Sequence, residues 1–81
     1  MIKIKLKCFS QVKYALGQDE MVIEMKIGST TSDLERVVRQ RSEGKLEHID
    51  LSIAINKKYV KDEVALNDGD EVALIPPVQG G

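Results

Sequence analysis

The chain opens on a strict alternation. Ile2, Ile4, Leu6 and Cys8 share one parity while Lys3, Lys5 and Lys7 take the other, which predicts a strand with one buried face. After Phe9 the period changes. Val12 and Leu16 stand four apart, Ser10 sits where a cap belongs and Gly17 where a helix would stop, so a short helix is expected over 10–16. Gln18-Asp19-Glu20 reads as a turn. Met21, Ile23, Met25 and Ile27 then alternate with Val22, Glu24 and Lys26 up to Gly28, a second strand expected to pair antiparallel with the first.

The main helix should follow. Thr30 with Asp33 three residues on has the form of a capping box. Leu34, Val37 and Val38, with the aliphatic stem of Arg41, share one face; Glu35 can pair with Arg39 on the other, and Gly44 is a natural stop. Lys45 to Asp50, carrying His48, reads as a polar connection. Leu51, Ile53 and Ile55 alternate again, Asn56-Lys57-Lys58 suits a turn into Tyr59-Val60-Lys61, and Val64-Ala65-Leu66 is short enough to be a bend. A strong turn signal at Asn67-Asp68-Gly69-Asp70 leads into Glu71–Ile75, whose nearly continuous apolar character marks a central strand. The order strand, strand, helix, strand, strand implies an α+β domain: a mixed sheet of about four to five strands with one main helix packed across it. With the first and last strands side by side, that is a β-grasp arrangement.

Composition narrows what such a domain can do. At 81 residues there is one small domain, with 42% hydrophobic and 31% charged residues, too apolar to be disordered. Twelve basic against thirteen acidic residues leave a net charge of −1, which argues against nucleic acid as the main partner. One cysteine and one histidine exclude an internal disulfide and a structural zinc site, and lone-cysteine usage suits the cytoplasm. No apolar run approaches the roughly 20 residues of a membrane span, and the lysine-studded N-terminus is not a signal peptide. Self-contained catalysis is not expected either.

The chemistry is read from the tail. A domain over 1–75 is followed by an extended segment, 76–81, reading Pro76-Pro77-Val78-Gln79-Gly80-Gly81. The prolines end the sheet ladder and hold the chain extended, so that it can project about 19 Å. Without side chains, Gly80 and Gly81 leave a backbone and carboxylate thin enough to thread a channel. A frayed terminus with a proline stop is the plainer alternative.

The turn and tail from Asp68 to Gly81, DGDEVALIPPVQGG, resemble the small, sulfur-carrying subunits of molybdopterin synthase (MoaD type). The resemblance extends over essentially the whole chain, including the stretch from Phe9 to Gly17. It implies a ubiquitin-like β-grasp carrier that binds no cofactor of its own. In that family an ATP-using, ubiquitin-activating-type adenylyltransferase activates the carboxylate matching Gly81, and sulfur from a donor such as a cysteine desulfurase or rhodanese-like protein replaces AMP. The resulting thiocarboxylate enters the large subunit, where sulfur passes to a cyclic pyranopterin precursor and builds the dithiolene. The family's synthase is a heterotetramer. Gln79 departs from the pattern, since the residue before the diglycine is usually small, and Cys8 stands where a second aromatic is common.

The resemblance also implies a docking surface, with Phe9, Tyr59 and Ile75 matching hydrophobic contact positions beside the tail. Phe9 and Ile75 suit a core role equally well. Cys8 shares the parity of Ile2, Ile4 and Leu6 and is expected to be an inert core residue. His48 is expected in solvent, and the Lys3, Lys5, Lys7 stripe and the Lys57-Lys58 pair are expected to be a solvated face that discourages edge pairing, with docking to an acidic partner surface as the alternative. Two other readings share the terminal diglycine: a thiamine-thiazole sulfur carrier, and a ubiquitin-like protein modifier joined to lysines.

Overall fold

In a computed structural model, which describes residues 1–77, the chain forms β1 (Ile2–Cys8), α1 (Ser10–Leu16), β2 (Glu20–Met25), α2 (Thr31–Arg41), β3 (Ser52–Ile55), β4 (Lys58–Val60) and β5 (Glu71–Ile75). A single five-stranded sheet has the order β2-β1-β5-β3-β4. β1 and β5 run parallel at its centre, with Lys5 beside Glu71 and Cys8 beside Leu74; the other neighbours are antiparallel. This is the mixed β-grasp sheet expected from the order of elements. Val72 and Leu74 meet Ile4 and Leu6 on the inner face, and Leu34 and Val38 of α2 with Val12 of α1 complete a core from which water is excluded. Cys8 is buried with them, as its parity required.

Several local expectations are corrected. β2 stops at Met25, because Ile2 of β1 is its last partner. Ser29 then donates from both its amide and its hydroxyl to the Lys26 carbonyl, at 3.1 and 2.7 Å, and Gly28 at φ +92° turns the chain. Ile27 is left 80% exposed instead of continuing the strand. Nor does Ser10 cap α1: Phe9 occupies the cap position without a side-chain bond, and Ser10 is the first helical residue. Gly17 does end that helix, at φ +73°.

The Thr30–Asp33 capping box is present in both directions. α2 ends at Arg41 with Ser42 as its cap, because the backbone turns left-handed at Glu43 (φ +53°) and Gly44 (φ +86°); the buried Ser42 hydroxyl donates to the Arg39 carbonyl at 2.8 Å. Arg41 lies in solvent. The connection that follows is not simply polar, since Leu46 is fully buried. Arg39 explains how it is held. Its guanidinium binds Glu35 at 3.0 Å, donates to the Ile49 carbonyl at 2.8 Å and also donates to the Leu46 carbonyl. His48 is exposed.

The lysine stripe does not guard an edge, because β1 lies inside the sheet; Lys5 and Lys7 instead pair with Glu20 of β2. Val64-Ala65-Leu66 makes one bridge, Ala65 to Thr30, and buries Leu66. The Asn56-Lys57 turn has φ +49° and +73° at its two residues, the signs that a tight hairpin between β3 and β4 requires.

Candidate functional site

β5 carries the core on one face and the candidate site on the other. Alternation sends Val72 and Leu74 inward, so Ala73 and Ile75 face outward. In register, Ala73 lies between Lys7 of β1 and Ala54 of β3, and Ala54 in turn faces Tyr59 of β4. Two alanines side by side on inner strands leave the outer face hollow where longer side chains would fill it. A groove of about 650 Å³ results, with Ala54 and Ala73 in its lining, Phe9 and Ile75 at the end where β5 leaves the sheet, and Lys7 and Lys57 also against it.

Electrostatics organise the rim. Lys13 and Asp19 form an ion pair at 2.7 Å, and Glu20 is held by Lys7 at 3.2 Å and Lys5 at 3.5 Å. The hydrogen bond from Lys7, assisted by Lys5, keeps the Glu20 carboxyl below its ordinary range; Asp19 raises the Lys13 ammonium above its own. Burial, reinforced by the Asp19 charge, pushes the Cys8 thiol up and away from the reactive thiolate form. These exposed pairs fix side-chain directions more than they stabilise the fold.

Phe9 and Ile75 are therefore brought together, with Phe9 48% exposed and Ile75 half-buried. Tyr59, 70% exposed, is not in that lining; it borders a separate depression of about 580 Å³ with Leu51 and Ile53 and with Thr31 and Glu35 of α2. Pro76 is buried and Pro77 exposed, so the chain emerges into solvent within two residues of the last strand. Val78, Gln79, Gly80 and Gly81 lie outside the described residues. The residues that sequence reasoning missed are Ala54 and Ala73. Their outward parity was readable, but their meeting depends on the β5–β3 register, which no local pattern encodes.

Among the described residues, no group of three or more His, Cys, Asp or Glu side chains could hold a metal ion, and no helix is long and apolar enough to cross a membrane. In the groove the Ser10 hydroxyl donates to the Gln11 side chain at 2.7 Å, and burial holds the Cys8 thiol away from its thiolate form. What the arrangement can do is receive a partner's surface where β5 leaves the sheet.

Comparison with known proteins supplies the family. A family model described as the ThiS family matches residues 6–81. The chain belongs to the ThiS family. Among its relatives, a Chlamydomonas reinhardtii protein named molybdopterin synthase sulfur carrier subunit is 34% identical over 83 residues, spanning 99% of this chain and 100% of the relative. A solved Pyrococcus furiosus structure, described as a putative molybdopterin converting factor subunit 1, superposes with a TM-score of 0.86 at 33% identity, covering 96% of this chain and 100% of that one. A Helicobacter pylori structure of a complex of subunits 1 and 2 of molybdopterin-converting factor matches with a TM-score of 0.69 at 27% identity, covering 99% and 100%.

Proposed function

We propose that this ThiS-family chain is the sulfur carrier subunit of molybdopterin synthase and that the chemistry it carries resides on Gly81. The observation that carries the reading is the end-to-end similarity to sulfur carrier subunits in a chain whose central strand opens into solvent beside an unfilled groove. A carboxylate is a poor acyl donor, so an activating partner must first use ATP to form an acyl-adenylate on Gly81 and release pyrophosphate. A sulfide equivalent from a donor protein then adds to the carbonyl and expels AMP, leaving a thiocarboxylate. Inside the large subunit the thiocarboxylate sulfur bonds to the cyclic pyranopterin precursor, and water then cleaves the C–S bond to Gly81, leaving sulfur on the pterin and restoring the Gly81 carboxylate.

Each part of the site has a role in that cycle. Phe9 and Ile75 dock against the large subunit, with Tyr59 at the margin of the same surface. Pro76 and Pro77 limit the conformations lost when the tail inserts, which lowers the ordering cost of binding. Val78, Gln79 and Gly80 occupy the channel, and Gly81 reaches the substrate. Closing the reacting group inside the partner protects it from water.

Intact mass spectrometry tests the reading. After incubation with ATP, an activating enzyme and a sulfur donor, the chain should gain the mass difference between sulfur and oxygen. Adding the large subunit and pterin precursor should remove it again. A ladder of higher-mass conjugates would instead support a protein modifier, and a mass gain without discharge would move the carrier to another pathway. Deletion of Gly81 should abolish loading and leave the melting temperature unchanged; pterin synthesis by the truncated chain would refute the carrier model.

A further inference from the structure

Four non-glycine residues have positive φ: Ser10, Glu43, Asn56 and Lys57. Glu43, Asn56 and Lys57 lie in turns, where this conformation reverses the chain. Ser10 is different. At φ +50° it is the first residue of α1, immediately after a strand, and no side-chain bond caps the helix there. Left-handed backbone is costly for a residue with a Cβ and persists only where the surroundings over-determine it.

The neighbours show what does so here. Cys8, buried at the end of β1, is tied by its amide to the Asp19 carbonyl at 2.8 Å, and Val12, fully buried, fixes the first turn of α1 in the core. Between them the Phe9 carbonyl already accepts from the amides of Val12 at 3.0 Å and Lys13 at 3.4 Å. The chain thus passes from strand to helix with only Phe9 between them, and Ser10 makes the turn. Phe9 keeps the outward parity of a strand residue while its carbonyl serves the helix. Were Ser10 to relax to negative φ, the helix would have to start later, and Phe9 would lose the hydrogen bonds that orient it.

We propose that Ser10 is a positioning residue for partner recognition: its left-handed backbone holds the Phe9 ring against the groove that Ile75 also lines. The inference rests on the docking role given to Phe9 above. Calorimetric titration of the full chain with the large synthase subunit tests it, using single and double variants checked for folding by far-UV circular dichroism. Phe9→Ala should weaken binding by at least about tenfold. Ser10→Val, whose branched side chain resists positive φ, should weaken it by about tenfold, with Ser10→Thr as the milder variant if the valine fails to fold. Ser10→Gly, which adopts this conformation freely, should bind like the parent. In the Phe9→Ala background, Ser10→Val should cost nothing further, because Ser10 acts through the ring. Losses that simply add would show that Ser10, which itself lines the groove, acts independently of the ring, and would overturn the proposal. Full affinity in Ser10→Val with a clear loss in Phe9→Ala would also overturn it while sparing the docking surface. No loss in Phe9→Ala would remove the docking role itself and the inference with it.

Discussion

Where β5 begins, main-chain and side-chain groups tie it on both flanks; where it ends, two prolines follow and the ladder stops. At the beginning, the Lys3 amide donates to Asp68 Oδ1 at 2.7 Å and the Gly69 amide to the Lys3 carbonyl at 2.8 Å. Asp70 closes its own turn by accepting the Asn67 amide at 2.8 Å, and takes Asn56 Nδ2 at 3.1 Å from the β3–β4 hairpin. At the other end, Ile75 is half-buried, Pro76 is buried and Pro77 is already in solvent. A presented segment needs a fixed base, and here one short strand has its anchor at one end and its exit at the other.

The contrast can be broken most forcefully in the middle of the strand. Leu74 is fully buried, and Leu74→Ala should cost about 2–5 kcal/mol in urea denaturation. A loss near that of a surface substitution would mean that β5 is not the spine of the core. Asp68→Ala probes the anchor alone: removing the bond to the Lys3 amide should cost about 1 kcal/mol, while thiocarboxylate loading of the folded chain stays normal. Impaired loading at unchanged stability would erase the division between the two ends.

Smaller changes sharpen the picture. Lys57→Gly should stabilise the hairpin that supports Asp70 by roughly 0.5–1 kcal/mol, since φ +73° suits glycine; thermal melting would reveal a destabilisation if the turn needed the lysine. The least effect concerns pH. The Thr30 amide and then Arg36 hold the Asp33 carboxyl below its ordinary range. A lowered value in the folded state gives stability that is present above the ordinary carboxylate range and is lost as pH falls through the lowered one. Asp33→Asn should flatten the acid limb of the stability curve, and an unchanged limb would show that the cap does not depend on the charge.

The sequence carried the fold where parity and caps were local. Strands β1 and β5, the Thr30–Asp33 box, the Gly17 stop and the burial of Cys8 all followed from spacing alone. What escaped depended on partners distant in the chain. Ile27 kept the alternation, but β1 had no residue left to pair with β2 beyond Met25. Leu46 looked like part of a polar loop because only Arg39, seven residues earlier, reveals that the segment folds inward. Likewise the exposure of Phe9 and its meeting with Ile75 needed the β1–β5 pairing, and the alanine-lined hollow needed the β5–β3 register.

That central pairing also sets an order in time. β1 lies at the start of the chain and β5 near its end, so the innermost ladder closes the longest loop in the molecule, a slow step for a small domain. Synthesis runs from the N-terminus, and β1 must therefore wait beside β2 until the last strand has been made. On the proposed reading, the segment that receives sulfur emerges only after the strand that completes the sheet. On that reading, a chain interrupted before β5 has neither a finished sheet nor a segment to load.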